Sequence, residues 1–171
     1  MIGTLRMRRS RGAVSGVLLV LLGLWGGLIA FIGPYFHYAY SPDTTWTYNT
    51  GRLWLEILPG AAVFLGGLLL ILSAGRHTAI FGGLLAAAGG AWFTLGTVFS
   101  PLWNHHVPMG GAPVASTVSM RIAEQVGFFT GLGVVIVFIA AFAVGRIFSL
   151  PADAIAEETV PVETRPHEPV A

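Results

Sequence analysis

Two acidic side chains inside apolar segments are the residues of this sequence best suited to chemistry. Glu56 follows Arg52 by four positions and Glu124 follows Arg121 by three, so each pair can meet on one face of a helix. A charge near hydrocarbon is costly, which makes such groups either well paired or functional. Three roles remain open: an ion pair within each helix, a four-charge network joining both pairs, and binding of a proton or cation in an outward-facing cavity.

Three histidines follow the prolines that end two of the apolar segments: His37, His105 and His106. Together with Met109 they could form an extracytoplasmic copper or zinc site, because imidazole binds both metals and a thioether favours Cu(I). Adjacent loop histidines without a third ligand at fixed spacing are more typical of exposed polar residues. We therefore keep the metal site as a minor alternative and expect no cofactor.

Other catalytic patterns are absent from the sequence. It contains no nucleophile elbow, no HExxH helix, no phosphate-binding loop and no dinucleotide-binding glycine pattern. The chain has no cysteine, which excludes thiolate chemistry, and its net charge of +1 gives no basic excess for nucleic acid. We therefore expect a non-enzyme with no nucleic-acid partner, with a membrane enzyme as the third hypothesis after those stated below.

The composition indicates an integral membrane protein. Of the 171 residues, 54% are hydrophobic and only 10% are charged, and the mean hydropathy is +0.75. Four apolar runs are each long enough to cross a bilayer as a helix, at about 13–33, 53–73, 78–99 and 122–144. The sequence predicts an all-α bundle of four transmembrane helices within residues 13–147.

The arginines predict the orientation of this bundle. Arg52 and Arg121 flank one side, whereas six arginines flank the other: Arg6, Arg8, Arg9, Arg11, Arg76 and Arg146. By the positive-inside rule, both termini are expected in the cytoplasm. Residues 1–12 then form a basic cytoplasmic segment. Residues 148–171 carry five acids against one arginine and are expected to be a disordered cytoplasmic tail.

The sequence also contains an internal repeat. Trp25 precedes Pro34 by nine residues and Trp92 precedes Pro101 by nine, with an offset of 67 between the two pairs. The arginines and acids described above recur at offsets of 69 and 68. We therefore expect two tandem helical hairpins related by an approximate two-fold axis along the membrane normal. Small residues at four-residue spacing predict close helix contacts, at Gly82, Ala86 and Gly90 and again at Gly127 and Gly131.

The segment from Phe99 to Trp103 reads Phe-Ser-Pro-Leu-Trp, at the end of the first span of the second hairpin. With the repeated tryptophan, it resembles the SPW-repeat family of small bacterial membrane proteins, which has a Ser-Pro-Trp motif at this place. Leu102 is inserted into the motif, and the first hairpin has Gly-Pro-Tyr instead. The resemblance implies a fold of tandem hairpins and carries no activity to any residue.

Aromatic residues are concentrated in the two long loops that are expected outside: Tyr35, Tyr38, Tyr40, Trp46, Tyr48 and Trp103. Such rings suit the headgroup region, and we interpret them as membrane anchors. The leading hypothesis is a non-catalytic scaffold or accessory subunit in contact with the lipid bilayer and with a membrane-protein partner or further copies of itself. The alternative is a small oligomeric transporter or channel that uses Glu56 and Glu124.

Overall fold

The computed structural model describes residues 10–41, 43–102 and 111–149. In these segments the chain is all-helical apart from loops and a single isolated bridge between two residues. The predictions for Trp103, His105 and His106, for the first nine residues and for the acidic tail after Ser149 lie outside the described residues.

Four long helices confirm the predicted four-helix bundle. They are α1 (Ser10–Ile32), α2 (Thr50–Leu72), α3 (Arg76–Phe99) and α4 (Val118–Phe148). All four are long and apolar enough to cross a membrane, which fits a multi-pass membrane protein. We call the end that carries the α1–α2 and α3–α4 loops the loop end. The short α2–α3 connection lies at the other end, the turn end.

All four helices begin two to four residues earlier than the apolar runs predict. α2 begins at Thr50, and its first turn is capped by the Asn49 side chain, whose Oδ1 accepts the Arg52 amide at 2.8 Å. α4 begins at Val118 and not near residue 122. Its first turns are polar, so hydropathy did not reveal them, although they continue the same helix.

The two repeated prolines end their helices in the same way. α1 ends at Ile32 and α3 at Phe99, and each α-helix stops two residues before its proline. The chain then continues as a short 3₁₀ turn, Gly33–Phe36 after α1 and Ser100–Leu102 after α3. Proline has no amide hydrogen to donate to the helix, so the α-helical hydrogen-bond pattern stops at both places.

Both helices that leave the loop end contain a π turn, an irregularity that the sequence analysis did not predict. α2 widens at Leu53–Ile57 and α4 at Val126–Thr130. In α2 the Leu58 amide bonds to the Leu53 carbonyl, five residues back. The next amide is missing because residue 59 is proline. The π turn therefore leaves a backbone carbonyl, that of Trp54, without a helical partner.

Glycines bring successive helices into close contact. A Cβ atom on Gly23 of α1 would lie 2.5 Å from the Phe64 nitrogen of α2, and one on Gly66 of α2 would lie 2.5 Å from the Gly82 carbonyl of α3. The predicted small-residue contacts thus hold for α3, where Gly90 lies against Gly133 and Ile136 of α4. They are wrong for α4: Gly127 lies against Tyr38 of the first loop, and Gly131 against Val126 of its own helix.

The centre of the bundle is filled by apolar side chains. Leu19, Phe93 and Ile136 are each 0% exposed and come from α1, α3 and α4. α1 packs on α2, α2 on α3 and α3 on α4, while α4 contacts α1 less extensively. The four helices therefore form one packed unit. The approximate two-fold symmetry of its halves stays a prediction.

Candidate functional site

The buried carboxylate of Glu124 joins the two loops. Glu124 is 0% exposed. Its Oε1 accepts the backbone amide of Ala39 in the first loop, and its Oε2 accepts the amide of Ala115 in the second, both at 3.2 Å. Hydrogen bonds from two amides compensate for the lost hydration of a carboxylate. One side chain of α4 thus holds both loops at the end of the bundle.

The loops also bond to each other directly above Glu124. The Ser41 amide donates to the Ala112 carbonyl at 3.0 Å, and the Val114 amide donates to the Ala39 carbonyl at 3.1 Å. The Ala112 amide donates to the Ser41 hydroxyl at 3.0 Å. We call this pairing of residues 39–41 with residues 112–115, together with Glu124, the loop clasp.

Gly111 directly precedes the second segment of the clasp and has a φ of +72°. A side chain is disfavoured at this φ, and a Cβ atom would collide with the Ser41 carbonyl oxygen. Glycine is therefore required where the second loop turns into the clasp. The first loop makes its corresponding turn at His37, which has a φ of 54° and caps the 3₁₀ turn after α1.

Arg52 and Arg121, one from each predicted hairpin, both bind backbone carbonyls of the loops. Arg121 donates through Nε to the Ala115 carbonyl at 2.6 Å, while Arg52 donates through Nη1 to the Thr47 carbonyl at 2.7 Å. Each guanidinium thus fixes a backbone carbonyl in the loop that precedes its own helix. Arg121 and Glu124, three residues apart, hold the carbonyl and the amide of the same residue, Ala115.

Arg52 and Glu56 of α2 are both buried within the bundle. Arg52 is 3% exposed and its guanidinium lies 5.8 Å from the centre of the Phe31 ring. Glu56, in the π turn of α2, is 1% exposed. Its Oε2 is buried and has no hydrogen-bond partner in the part of the chain that the structure describes. Arg52 is close enough for its charge to act on Glu56.

Tyr38 and Tyr40 fill the space between the clasp and α4. The Tyr38 hydroxyl donates to the Ala123 carbonyl at 2.7 Å, and its ring stacks on Phe128 at 5.2 Å between centres. Tyr40 is 7% exposed and packs edge-on against Phe129 at 5.1 Å. The interpretation of Tyr40 as a headgroup anchor is therefore wrong, because its ring lies in the core. Tyr35, Trp46 and Tyr48 are exposed.

Tyr40 is the buried tyrosine on which both acids act electrostatically. Burial, and then the charges of Glu124, Tyr38 and Glu56 in that order, raise the pKa of Tyr40 to about 12. Burial, and then the Glu124 charge, also raise the pKa of Tyr38. The hydroxyl of Tyr40 therefore stays protonated at physiological pH. Tyr40 lies within electrostatic reach of both Glu56 and Glu124.

Each repeated tryptophan donates to a carbonyl in a π turn. Trp92 of α3 donates through Nε1 to the Trp54 carbonyl at 2.8 Å, which is the carbonyl left unpaired by Pro59. Trp25 of α1 donates to the Gly127 carbonyl at 3.3 Å. Both acceptors are the second residue of their π turn. The sequence analysis found these tryptophans as a repeat but assigned them only a space-filling role.

The sequence-predicted residues are partly brought together. Arg52, Glu56, Arg121 and Glu124 all lie at the loop end. All of them except Glu56 form hydrogen bonds with loop backbone in the described chain. His37 is exposed, and no group of three or more His, Cys, Asp or Glu side chains lies together among residues 10–41, 43–102 and 111–149. The chain matches no protein-family model, no curated protein and no solved structure.

Proposed function

We propose that this chain is a non-catalytic, multi-pass protein of a bacterial cytoplasmic membrane that acts as a scaffold or accessory subunit, with the loop end as its contact surface. The observation that carries the proposal is the loop clasp. A single buried carboxylate, Glu124, bonds to both loops at 3.2 Å and fixes them as one surface. Such preorganisation suits a surface that is recognised by a partner.

The packing of the helices supports a scaffold. Apolar side chains of α1, α3 and α4 fill the centre of the bundle, and glycines bring adjacent backbones into contact. A transporter needs polar groups or irregular backbone that line a path through the membrane. The described polar groups lie mainly at the two ends, so they favour a static role.

The charged residues at the turn end support an orientation with both termini in the cytoplasm. Arg76 at the start of α3 lies over the Phe148 ring at 5.3 Å, and Arg146 near the end of α4 lies over the Phe142 ring at 5.6 Å. Arginines that are anchored beside aromatic rings at one end of a bundle suit the cytoplasmic headgroup region. The loop end would then face the outside.

Exposed aromatic and apolar side chains around the loops give the partner its contact area. Tyr35, Phe36, Trp46 and Tyr48 are each more than half exposed. Aromatic residues of this kind dominate protein interfaces, and they also suit lipid headgroups. A membrane-protein partner, or a second copy of this chain, would bind beside the clasp through these rings.

Photo-crosslinking in native membranes tests the scaffold proposal. A photoreactive amino acid at Tyr48, at the loop end, should give a discrete crosslinked protein product that weakens in Glu124→Gln, because that change loosens the loops. The same amino acid at Phe138, which is 72% exposed on α4, serves as the lipid-facing control. Crosslinks to lipid alone from both positions would contradict the proposal.

A small oligomeric transporter or channel remains the second candidate. One observation favours it: Glu56 has a buried carboxylate oxygen without a described partner, as a coupling group would. Reconstituted vesicles distinguish the two functions. A scaffold predicts no proton or cation flux above that of empty vesicles, whereas flux that Glu56→Gln abolishes would favour the transporter. The resemblance to the SPW-repeat family adds no activity to either candidate.

A further inference from the structure

The repeat makes Glu56 and Glu124 equivalent in sequence, yet their surroundings differ. Both oxygens of Glu124 accept backbone amides at 3.2 Å. Glu56 is just as buried, at 1% exposure, and its Oε2 has no hydrogen-bond partner within the described segments. The loop clasp uses Glu124 and gives no role to Glu56.

Burying a carboxylate oxygen without a hydrogen-bond donor costs free energy. A bound cation or proton removes this cost because it neutralises the charge. A metal ion such as Ca²⁺ or Mg²⁺ needs several oxygen ligands arranged around it. No group of three candidate metal ligands of the His, Cys, Asp or Glu types is found among the residues that the structure describes. A proton needs only the free oxygen of Glu56.

The charged group nearest to Glu56 along its helix is Arg52, which lies four residues earlier. The Arg52 guanidinium donates to the Thr47 carbonyl at 2.7 Å and also lies over the Phe31 ring. Glu56 is 1% exposed, so little water hydrates a charge on the oxygen that has no described donor. A proton on that oxygen removes the need for a donor.

Two other ionisable side chains at the loop end act on the surroundings of Glu56. Tyr40 of the first loop lies within electrostatic reach of Glu56 and stays neutral at physiological pH, with its pKa at about 12. Glu124 of α4 acts on the same ring, but its oxygens are held by amides. α1 carries no titratable side chain from Gly12 to Ile32, and α3 carries none from Thr78 to Phe99.

We propose that Glu56 is a proton-binding site that exchanges with water at the loop end and is occupied at neutral pH. Binding forms an Oε2–H bond with a proton delivered by water, and the carboxylate becomes a neutral acid; release is the reverse. Because Tyr40 of the clasp lies within electrostatic reach of Glu56, loss of the proton adds a negative charge near that ring. The loop end should then loosen as the pH rises. This inference does not depend on the scaffold proposal.

Infrared difference spectra of the purified full chain in detergent test the proposal directly. The spectrum at about pH 7 should contain the C=O band of a protonated carboxyl group, at a pH where exposed carboxyl groups are ionised. The band should shift in D₂O and disappear at higher pH. It should be absent in Glu56→Gln and present in Glu124→Gln, the matched control at the repeat-equivalent position.

Each outcome decides the proposal. Absence of a protonated-carboxyl band from the wild-type spectrum at about pH 7 would show that Glu56 is ionised, and would overturn it without any variant. Persistence of the band in Glu56→Gln would assign the proton to another acid, and would overturn it equally. If Glu56→Gln fails to fold, Glu56→Asp provides the second variant. A shortened acid at this site should shift the frequency of the band.

Discussion

Individual residues at the loop end hold different parts of the loops. Glu124 accepts amides from both loops, Arg121 fixes the carbonyl of Ala115, and Arg52 fixes that of Thr47. The types and spacing of these residues could be predicted from the sequence as candidates. Their partners could not, because Ala39 and Ala115 contribute only backbone amide and carbonyl groups, which no residue type reveals.

Replacing Glu124 should weaken the clasp. In Glu124→Gln, one of the two acceptor oxygens becomes an NH₂ group that faces a backbone amide, leaving buried donors unpaired. We expect a loss of about 1–3 kcal/mol in the free energy of unfolding, measured by thermal unfolding in detergent. Asp43→Asn, the same change at an exposed loop acid, should change it by less than about 0.5 kcal/mol. Equal effects of the two changes would contradict the clasp.

The buried hydroxyl of Tyr40 should make stability depend on alkaline pH. Its pKa is about 12 in the folded protein and about 10 when unfolded, so the folded state holds this proton more tightly. The stabilisation is complete below about pH 10 and is lost as the pH rises through about 12. Tyr40→Phe should reduce this loss and remove one step near pH 12 from the tyrosinate absorbance titration. Curves of stability and of tyrosinate absorbance against pH that have the same shape in wild type and Tyr40→Phe would contradict the assignment of this pKa to Tyr40.

Helices α2 and α4 depend on side chains of their neighbours to complete their π turns. Hydropathy predicted four helices because apolar length alone determines a span. It could not predict the π turns, since their hydrogen-bond pattern depends on tertiary partners such as Trp92. Pro59 was the available signal: a proline inside a span leaves a carbonyl that another side chain must satisfy.

A double-mutant cycle tests the contact between Trp92 and α2. Trp92→Phe removes the donor to the Trp54 carbonyl and should cost about 1–2 kcal/mol in unfolding free energy. Pro59→Ala restores a backbone amide five residues after Trp54, so the cost of Trp92→Phe should fall in that background. Additive effects of the two changes in thermal unfolding would contradict the explanation.

Glycines at helix contacts should tolerate no side chain. In Gly23→Ala the new Cβ would lie 2.5 Å from the Phe64 nitrogen, so α1 and α2 must separate and the melting temperature should fall. Gly145→Ala is the control in α4, because nothing lies within 4 Å of its Cβ position. The control should be neutral or stabilising by up to about 1 kcal/mol. Equal melting temperatures for both variants would contradict the close packing of α1 on α2.

At the scale of the whole molecule, the four-helix architecture follows from hydropathy, and the proposed orientation rests on the distribution of arginines. Hydropathy is a property of the sequence itself, which is why the architecture could be predicted. The joining of the loops over α4 could not, because it depends on the turn at His37 and on backbone pairing between residues 39–41 and 112–114.

Cysteine labelling tests the proposed orientation. The sequence has no cysteine, so a single introduced thiol reports its own position. Ser116→Cys at the loop end should react with a membrane-impermeant reagent in intact cells, whereas Ala74→Cys at the turn end should react only after permeabilisation. Both native side chains are exposed. The reverse pattern would place the termini outside.

The central claim is that Glu56 and Glu124, which occupy matching positions of the sequence repeat, have different roles. Amide hydrogen exchange, measured residue by residue in wild type, Glu124→Gln and Glu56→Gln, tests this claim most directly. The account predicts that the Ala39 and Ala115 amides are protected in wild type, exchange much faster in Glu124→Gln, and stay protected at neutral pH in Glu56→Gln. Unchanged protection in Glu124→Gln, or equal loss in both variants, would contradict it.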